Sequence, residues 1–235
     1  PLSDPPTFQE TKTLRFLLEA NQQGDKPYFL CLDEMNLARV EHYFAPFLSA
    51  MEDPSGYLHL HAGSDIAENI PAKVPWPKNL FIFGTVNMDE TTHPFSDKVL
   101  DRAFTFEFWD VDLDGWREKK VAGGAPPNTV DAILEALREI HAVLLPARRH
   151  FGYRTLDEVH GFVVAMPGET SPTTIDAAVY AKVLPKIRGD DNEVFSEALA
   201  KLENVLGKHR VERCAAKVVA MRADLATLGF TRFWT

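Results

Sequence analysis

The sequence predicts an α/β portion built around a parallel sheet, followed by an all-helical portion. Two short apolar runs, Tyr28–Leu32 and Leu80–Thr85, are typical of strands buried on both faces by flanking helices. From Thr129 onward, apolar residues recur almost throughout at helical spacing. Glycine and proline pairs at 123–124 and 126–127 indicate a linker or a loop between the two portions. The predicted organisation is therefore an α/β part at 1–110, a linker at 111–128 and a helical part at 129–235.

Within the α/β portion, Leu14, Leu17 and Leu18 form an apolar stripe that predicts a helix over Thr11–Asn21. Pro46 is expected to bend or break the next helix. The remaining predicted elements are a helix from about Ala38 to Met51, a hairpin arm at Tyr57–His61, a short helix within Phe95–Ala103 and a third strand at Phe104–Phe108. We expect the strand phenylalanines to be core residues, namely Phe81, Phe83, Phe104, Phe106 and Phe108.

The helical portion has no internal repeat, and its apolar periodicity predicts five successive helical segments. They cover Val130–Leu145, Leu156–Met166, Thr174–Leu184, Phe195–Leu206 and Arg210–Leu228.

Composition excludes several classes of function. The formal net charge of −9 gives the surface no general attraction to nucleic acid phosphates, although a local basic patch remains compatible with it. The two cysteines, Cys31 and Cys214, belong to no zinc-binding pattern and do not indicate an oxidising compartment. No apolar stretch approaches the length of a membrane span, so we expect a cytoplasmic protein with no membrane partner.

Polar side chains stand at the end of the first predicted strand, where Asp33 and Glu34 directly follow the apolar run. The carboxyl edge of a parallel sheet opens into a ligand crevice. There an aspartate can hold the water shell of Mg²⁺, and an adjacent glutamate can polarise a water for attack on a γ-phosphate. The pair predicts this chemistry, but such pairs also serve as helix caps and solvated loop ends.

Two further residues are compatible with the same chemistry. Asn87 follows the second strand, where a neutral amide can bond the attacking water or the γ-phosphate; alternatively it makes an Asx-turn. Arg102 precedes the third predicted strand, at the rim of the domain, where it can reach a nucleotide on a neighbouring subunit. The alternative for Arg102 is a surface salt bridge with Asp101 or Asp97.

The segments FLCLDEMNLARVEHYFAPFLSAMED and LFIFGTVNMDETTHPFSDKVLDRAF resemble AAA+ ATPases, specifically the McrB-related branch. The resemblance implies a partial AAA+ P-loop NTPase core, a parallel sheet with flanking helices, followed by an all-helical lid domain. It implies a Walker B pair at Asp33 and Glu34, with Asp33 holding Mg²⁺ through water. It also implies sensor 1 at Asn87 and an arginine finger at Arg102. Asn36 and Arg39 fall in the segment after Walker B, where the family also carries an asparagine and a basic residue.

The resemblance also implies roles for the helical portion and for partners. Arg154 is the best match to a sensor 2 arginine, which contacts phosphate from the lid. Modules of this family form rings, so we expect a self-assembled ring, a hexamer, with Arg102 acting in trans. McrB is a GTP-hydrolysing motor that works with a nuclease, which implies a nuclease subunit as partner and DNA contacted through other domains.

The sequence departs from the family in two places. The GTPase motif MNTADRS is not retained after Val86, apart from Asn87, so both ATP and GTP remain open as substrates. No G-x-x-x-x-G-K-[ST] loop occurs in the 235 residues. We expect that loop and its strand to come from the parent protein outside these residues or from another chain. The 235 residues alone are expected to be inactive.

The functional prediction is accordingly a nucleotide-hydrolysing motor module that drives DNA translocation in restriction. A MoxR-like chaperone that remodels proteins is a close variant of this prediction. A non-hydrolysing scaffold or adaptor with the AAA+ shape is the alternative of a different class. The absent Walker A loop favours the scaffold, and the polar residues at the strand ends favour the motor.

Overall fold

A computed structural model of the protein describes residues 10–60, 71–87, 92–167 and 170–234, and the chain divides into two compact units after Glu107. His61 and residues 88–91, which take part in the predictions above, lie outside the described residues. The first unit is mixed α/β with a small parallel sheet, and the second is mainly helical. None of the described helices has the length and apolarity needed to cross a membrane.

The first unit contains α1 (Lys12–Gln22), β1 (Tyr28–Leu32), a 3₁₀ turn (Met35–Leu37), α2 (Val40–Glu52), β2 (Tyr57–His59), β3 (Lys73–Pro75), β4 (Leu80–Gly84) and α3 (Asp97–Leu100). The two apolar runs form β1 and β4, which pair in parallel with Leu30 opposite Ile82. The predicted hairpin arm is β2, which pairs with β3 in antiparallel fashion. The strands are confirmed, but the predicted burial of β1 and β4 on both faces is wrong, because Phe29, Phe81 and Phe83 are half exposed or more.

Two helices cover one face of the β1–β4 pair. The Thr11 side chain caps α1 by accepting the Leu14 N–H at 3.1 Å. Helix α2 buries Val40, Phe44 and Leu48 at helical spacing and continues through Pro46. Pro46 does not break α2, because it lies on the exposed side of the helix, where water can satisfy the carbonyl that a proline leaves unbonded.

The opposite face of the β1–β4 pair is uncovered among the described residues. Phe29, Phe81 and Phe83 are 60%, 50% and 56% exposed. The Phe29 ring stacks on that of Phe81 and is tilted against that of Phe83. The predicted third strand at Phe104–Phe108 is wrong: this segment is in no strand, and its phenylalanines are 80% or more exposed. The prediction of core phenylalanines is likewise wrong here. The physical reason is that a parallel strand needs a partner, and among the described residues β4 pairs with β1 and with no other strand.

The second unit contains α4 (Leu113–Ala122), α5 (Pro127–Leu144), α6 (Tyr153–Ala165), α7 (Pro172–Lys182), a 3₁₀ turn (Leu184–Lys186), β5 (Arg188–Asp190), α8 (Glu193–Lys208), α9 (Glu212–Leu228) and β6 (Phe230–Arg232). The five predicted helical segments are confirmed. The unit is not entirely helical, however, because β5 and β6 pair as a short antiparallel sheet.

The predicted linker at 111–128 is replaced by a helix. Most of it forms α4, and Leu113 and Trp116 lie in the core of the second unit. The Trp116 indole N–H also donates to the Asp157 carboxylate at 2.9 Å, which ties α4 to α6. The glycines and prolines that indicate a linker lie instead in the short turn between α4 and α5, with Pro127 in the first turn of α5. The boundary between the units accordingly falls before α4.

The buried carboxylate of Asp176, on α7, caps helix α9. Its two oxygens accept the backbone N–H groups of Arg213 at 2.8 Å and Cys214 at 3.0 Å. The residue before α9, Val211, has no side chain that can do this. Burial, followed by a side-chain hydrogen bond with Asp176 and the charge of its carboxylate, raises the pKa of the Cys214 thiol, which therefore stays protonated. The thiol donates to the backbone carbonyl of Asp176 at 3.3 Å.

Replacing Asp176 with alanine should lower the free energy of unfolding by about 1–3 kcal/mol, because the buried N–H of Cys214 and the partly buried N–H of Arg213 lose their acceptor. Urea denaturation followed by circular dichroism measures this change. Glu135→Ala, an exposed carboxylate on α5, is the control and should stay within about 0.5 kcal/mol of wild type. Equal stability of the two variants would contradict the capping role.

Candidate functional site

The candidate site lies in the first unit, where β1 and β4 end side by side. Because the strands are parallel and Leu32 pairs with Gly84, the residues that follow them meet at one edge. Asp33 and Glu34 follow β1, and Thr85 and Asn87 follow β4. All four residues are exposed, so the site is open to solvent within the described structure.

The acidic pair and the predicted sensor residue are brought together. The Asn87 amide donates to the Glu34 carboxylate, with 3.3 Å between Nδ2 and Oε1. A water held near Glu34 would therefore also lie within reach of the Asn87 amide. Asp33 and Glu34 thus share one small region with Asn87, which is more than 50 positions away from both in the sequence.

Glu34 occupies an unusual backbone conformation. Its φ of 51° and ψ of 46° place it in the left-handed region, which costs a residue with a side chain about 1–3 kcal/mol. Such a conformation persists only when its surroundings hold it. The turn is held from outside by Tyr43, whose hydroxyl donates to the Met35 carbonyl at 2.9 Å. Partial burial raises the pKa of Tyr43, so this donor keeps its proton.

Thr85 bonds to the same turn from β4. Its hydroxyl donates to Oδ1 of Asp33 at 2.5 Å and accepts the Glu34 N–H at 2.8 Å. Within the described residues, Oδ2 of Asp33 has no hydrogen-bond partner. Sequence reasoning missed Thr85; the available signal was a hydroxyl residue two positions before Asn87, at the end of the strand next to the acidic pair.

Asn36 ties the turn to the segment after β4. Its side chain is fully buried and donates from Nδ2 to the carbonyl of Asn87 at 2.9 Å and that of His93 at 3.4 Å. The His93 N–H returns a bond to the Asn36 carbonyl at 3.0 Å. The backbone on both sides of residues 88–91 is therefore held to one buried amide. The family pattern pointed to an asparagine at this position, but its contacts became visible only in the structure.

Gly84 leaves room for the Met35 side chain at the end of β4. A Cβ atom at this position would lie 2.5 Å from the sulfur of Met35, so that flexible side chain would have to shift. Met35 in turn donates its N–H to the Thr85 carbonyl at 2.8 Å. This backbone bond holds the turn that carries Asp33 and Glu34 against the end of β4.

Arg102 is not joined to this cluster by any contact among the described residues. Its guanidinium pairs with Glu52 at the end of α2 and donates to the carbonyl of Lys98. The alternative of a salt bridge is thus realised, although with Glu52 rather than with Asp97 or Asp101. Glu41, on α2, accepts the N–H of Ser96, the residue before α3, at 2.9 Å. A hydrogen bond from the Glu41 backbone, followed by one from the Ser96 side chain, lowers the pKa of the Glu41 carboxyl.

Arg154, the predicted sensor 2 residue, lies in the second unit. It is the second residue of α6 and is exposed. Its exposure leaves the guanidinium accessible to a ligand, and its role remains a prediction.

Asp33 is the residue at the strand ends that could hold the water shell of a magnesium ion. Mg²⁺ commonly takes one or two carboxylates and completes its shell with water and substrate phosphates. Thr85 holds one oxygen of Asp33, and the other has no protein partner among the described residues. No group of three or more His, Cys, Asp or Glu side chains suited to a metal ion occurs in the described part of the chain.

Comparison with curated proteins finds one informative similarity. The chain is 23% identical over 128 residues to the Type IV methyl-directed restriction enzyme EcoKMcrB subunit of Escherichia coli (strain K12). The aligned region covers 54% of this chain and 28% of that protein, so the chain spans less than a third of the length of this relative. The similarity supports an McrB-like relationship. No solved structure matches the chain significantly.

A family model matches residues 110–230, which include the whole of α4 through α9. This region is a little more than half of the 235 residues and corresponds closely to the second unit. The chain therefore belongs to the family described as Domain of unknown function (DUF8727).

Proposed function

We propose that this chain is part of an AAA+ motor module of the McrB-like type that hydrolyses ATP or GTP. The observation that carries the proposal is the meeting of Asp33, Glu34 and Asn87 at the carboxyl ends of two parallel strands. In this proposal Glu34 is the general base, and Asn87 positions the attacking water. Asp33 binds the water shell of Mg²⁺, which would neutralise the charge that develops on the transferred phosphoryl group.

The uncovered side of the small sheet supports the idea that the module is completed by further residues. Parallel sheets are normally covered on both faces, and here Phe29, Phe81 and Phe83 are half exposed or more. The exposed segment Phe104–Phe108 is apolar at alternate positions, as expected of a strand that lacks its neighbour. We propose that the strand absent from the 235 residues pairs at the edge of the sheet between β4 and the Phe104–Phe108 segment, and that further residues cover the exposed face. The phosphate-binding loop that follows this strand would contribute the rest of the nucleotide site.

The similarity to a methyl-directed restriction enzyme subunit supports a role in restriction. We propose that the assembled module forms a ring, a hexamer, that drives DNA translocation with a nuclease subunit and contacts DNA through other domains. Arg102 would act on the nucleotide of the neighbouring subunit and Arg154 on the phosphates of its own. In that arrangement Arg102 must leave Glu52, its partner here.

The direct test is to measure Mg²⁺-dependent release of phosphate from ATP and from GTP by the full-length protein that carries this chain. We expect hydrolysis of at least one nucleotide, and the two rates of phosphate release show whether ATP or GTP is the better substrate. Absence of hydrolysis and of nucleotide binding would favour the scaffold, which the missing Walker A loop also supports. A protein-remodelling role would appear instead as turnover stimulated by a protein substrate and not by DNA.

Arg102 acting in trans predicts complementation between inactive subunits. Arg102→Ala should reduce turnover by about 10³-fold, as expected for the loss of an arginine finger. Mixing Arg102→Ala subunits with Glu34→Gln subunits should restore part of the activity, because some interfaces then combine an intact Glu34 with an intact Arg102. A mixture as inactive as its components would argue that both residues serve the same subunit or that Arg102 is structural. Lys98→Ala, a change to an exposed neighbour on α3, is the control and should retain turnover.

A further inference from the structure

Thr85 makes hydrogen bonds to four consecutive residues: Leu32 at the end of β1, and Asp33, Glu34 and Met35 in the turn that follows, here called the acidic turn. Its backbone N–H donates to the Leu32 carbonyl at 3.0 Å, and its carbonyl accepts the Met35 N–H at 2.8 Å. Between these, the hydroxyl donates to Asp33 and accepts the Glu34 N–H. The backbone bonds join Thr85 to the end of β1 and to the turn after it, and they are independent of side-chain identity. The two hydroxyl bonds, by contrast, require serine or threonine at this position.

The hydroxyl bonds have a defined effect on each acidic residue. On Asp33, the hydroxyl occupies Oδ1 and thereby limits rotation of the carboxylate, while Oδ2 is without a protein partner in the described structure. On Glu34, acceptance of the backbone N–H holds the residue whose left-handed conformation is unfavourable by itself. A valine at this position would have nearly the same shape but could make neither bond.

We propose that Thr85 is a positioning residue for both carboxylates: it orients Asp33 for the hydrated magnesium ion and holds Glu34 in the turn that presents it to the reacting water. This inference rests on the proposed function. Thr85 acts through the two acidic residues and is assigned no contact with the nucleotide. Its effect is therefore expected in turnover and in magnesium dependence rather than in nucleotide affinity.

The test compares Thr85→Val with Thr85→Ser in the full-length protein. Thr85→Val should lower kcat by roughly 10- to 100-fold and raise the Mg²⁺ concentration for half-maximal turnover by a similar factor, the range typical of groups that orient metal ligands. KM for the nucleotide at saturating Mg²⁺ should change little. Thr85→Ser retains the hydroxyl and should keep kcat and magnesium dependence within about threefold of wild type.

A second readout is independent of turnover. Amide hydrogen exchange at Glu34, followed by NMR on the 235-residue chain, should accelerate in Thr85→Val and remain near wild type in Thr85→Ser, because only the valine removes the acceptor of that N–H. Circular dichroism spectra of both variants are compared with that of wild type to check that the fold is retained. Unchanged exchange at Glu34 in Thr85→Val would overturn the positioning role.

Failure of this inference can be separated from failure of the proposed function. If wild type hydrolyses nucleotide, Glu34→Gln does not, and Thr85→Val keeps the kcat and magnesium dependence of wild type, the role of Thr85 is refuted while the motor remains. Equal impairment of Thr85→Val and Thr85→Ser would also refute it, since the hydroxyl would then be irrelevant. If Glu34→Gln retains full turnover, the proposed function itself fails.

Discussion

Glu34→Gln in the full-length protein should abolish most nucleotide turnover while leaving nucleotide binding in place. Glutamine keeps the size of the side chain and can still contact Asn87, but it cannot accept a proton from the attacking water. Loss of a general base lowers rates by about 10²–10⁴-fold, so kcat should fall within that range. Steady-state phosphate release measures kcat, and binding of a fluorescent nucleotide analogue measures affinity.

Two comparisons make this result specific to the site. Glu41→Gln changes an acidic residue on α2 that bonds Ser96 and lies outside the cluster of Asp33, Glu34 and Asn87. It should retain turnover within a few-fold of wild type. Asn87→Ala should lower turnover less than Glu34→Gln, because an amide positions water without taking its proton. Full activity of Glu34→Gln would remove the basis for a hydrolytic motor, whatever the family relationship.

The second large effect concerns the core of the helical unit. Leu137 lies on α5, has no exposed surface and belongs to the main hydrophobic cluster of that unit. Leu137→Ala should lower the free energy of unfolding by about 2–5 kcal/mol, because it removes buried methyl groups and leaves a cavity that close-packed neighbours fill only in part. Urea denaturation followed by far-ultraviolet circular dichroism measures the change.

The matched control for this substitution is Leu228→Ala. Leu228 ends α9 and is 55% exposed, so the same loss of atoms should cost no more than about 0.5 kcal/mol. If the two variants were equally stable, α5 would not occupy the centre of the unit.

Local pattern predicted much of the secondary structure. The leucine stripe after Thr11 predicted α1, the apolar runs predicted β1 and β4, and the helical periodicity predicted α5 through α9, because these signals depend only on neighbouring residues. The linker prediction failed at α4, where Leu113 and Trp116 are too few to form a clear stripe and are buried by other helices. The strand prediction at Phe104–Phe108 failed because a strand also requires a partner, which no local pattern supplies.

The sequence by itself determined the chemistry that the site can offer: two carboxylates after one apolar run, an amide after the next, and no Walker A loop among the 235 residues. Only the tertiary structure decided which atoms meet. The Thr85 hydroxyl reaches Asp33 across 52 positions of sequence, the Asn36 amide reaches Asn87 across 51, and Asp176 caps a helix that begins 36 residues later. No periodicity encodes such contacts, because they depend on the register of paired strands and the packing of helices rather than on the order of neighbouring residues.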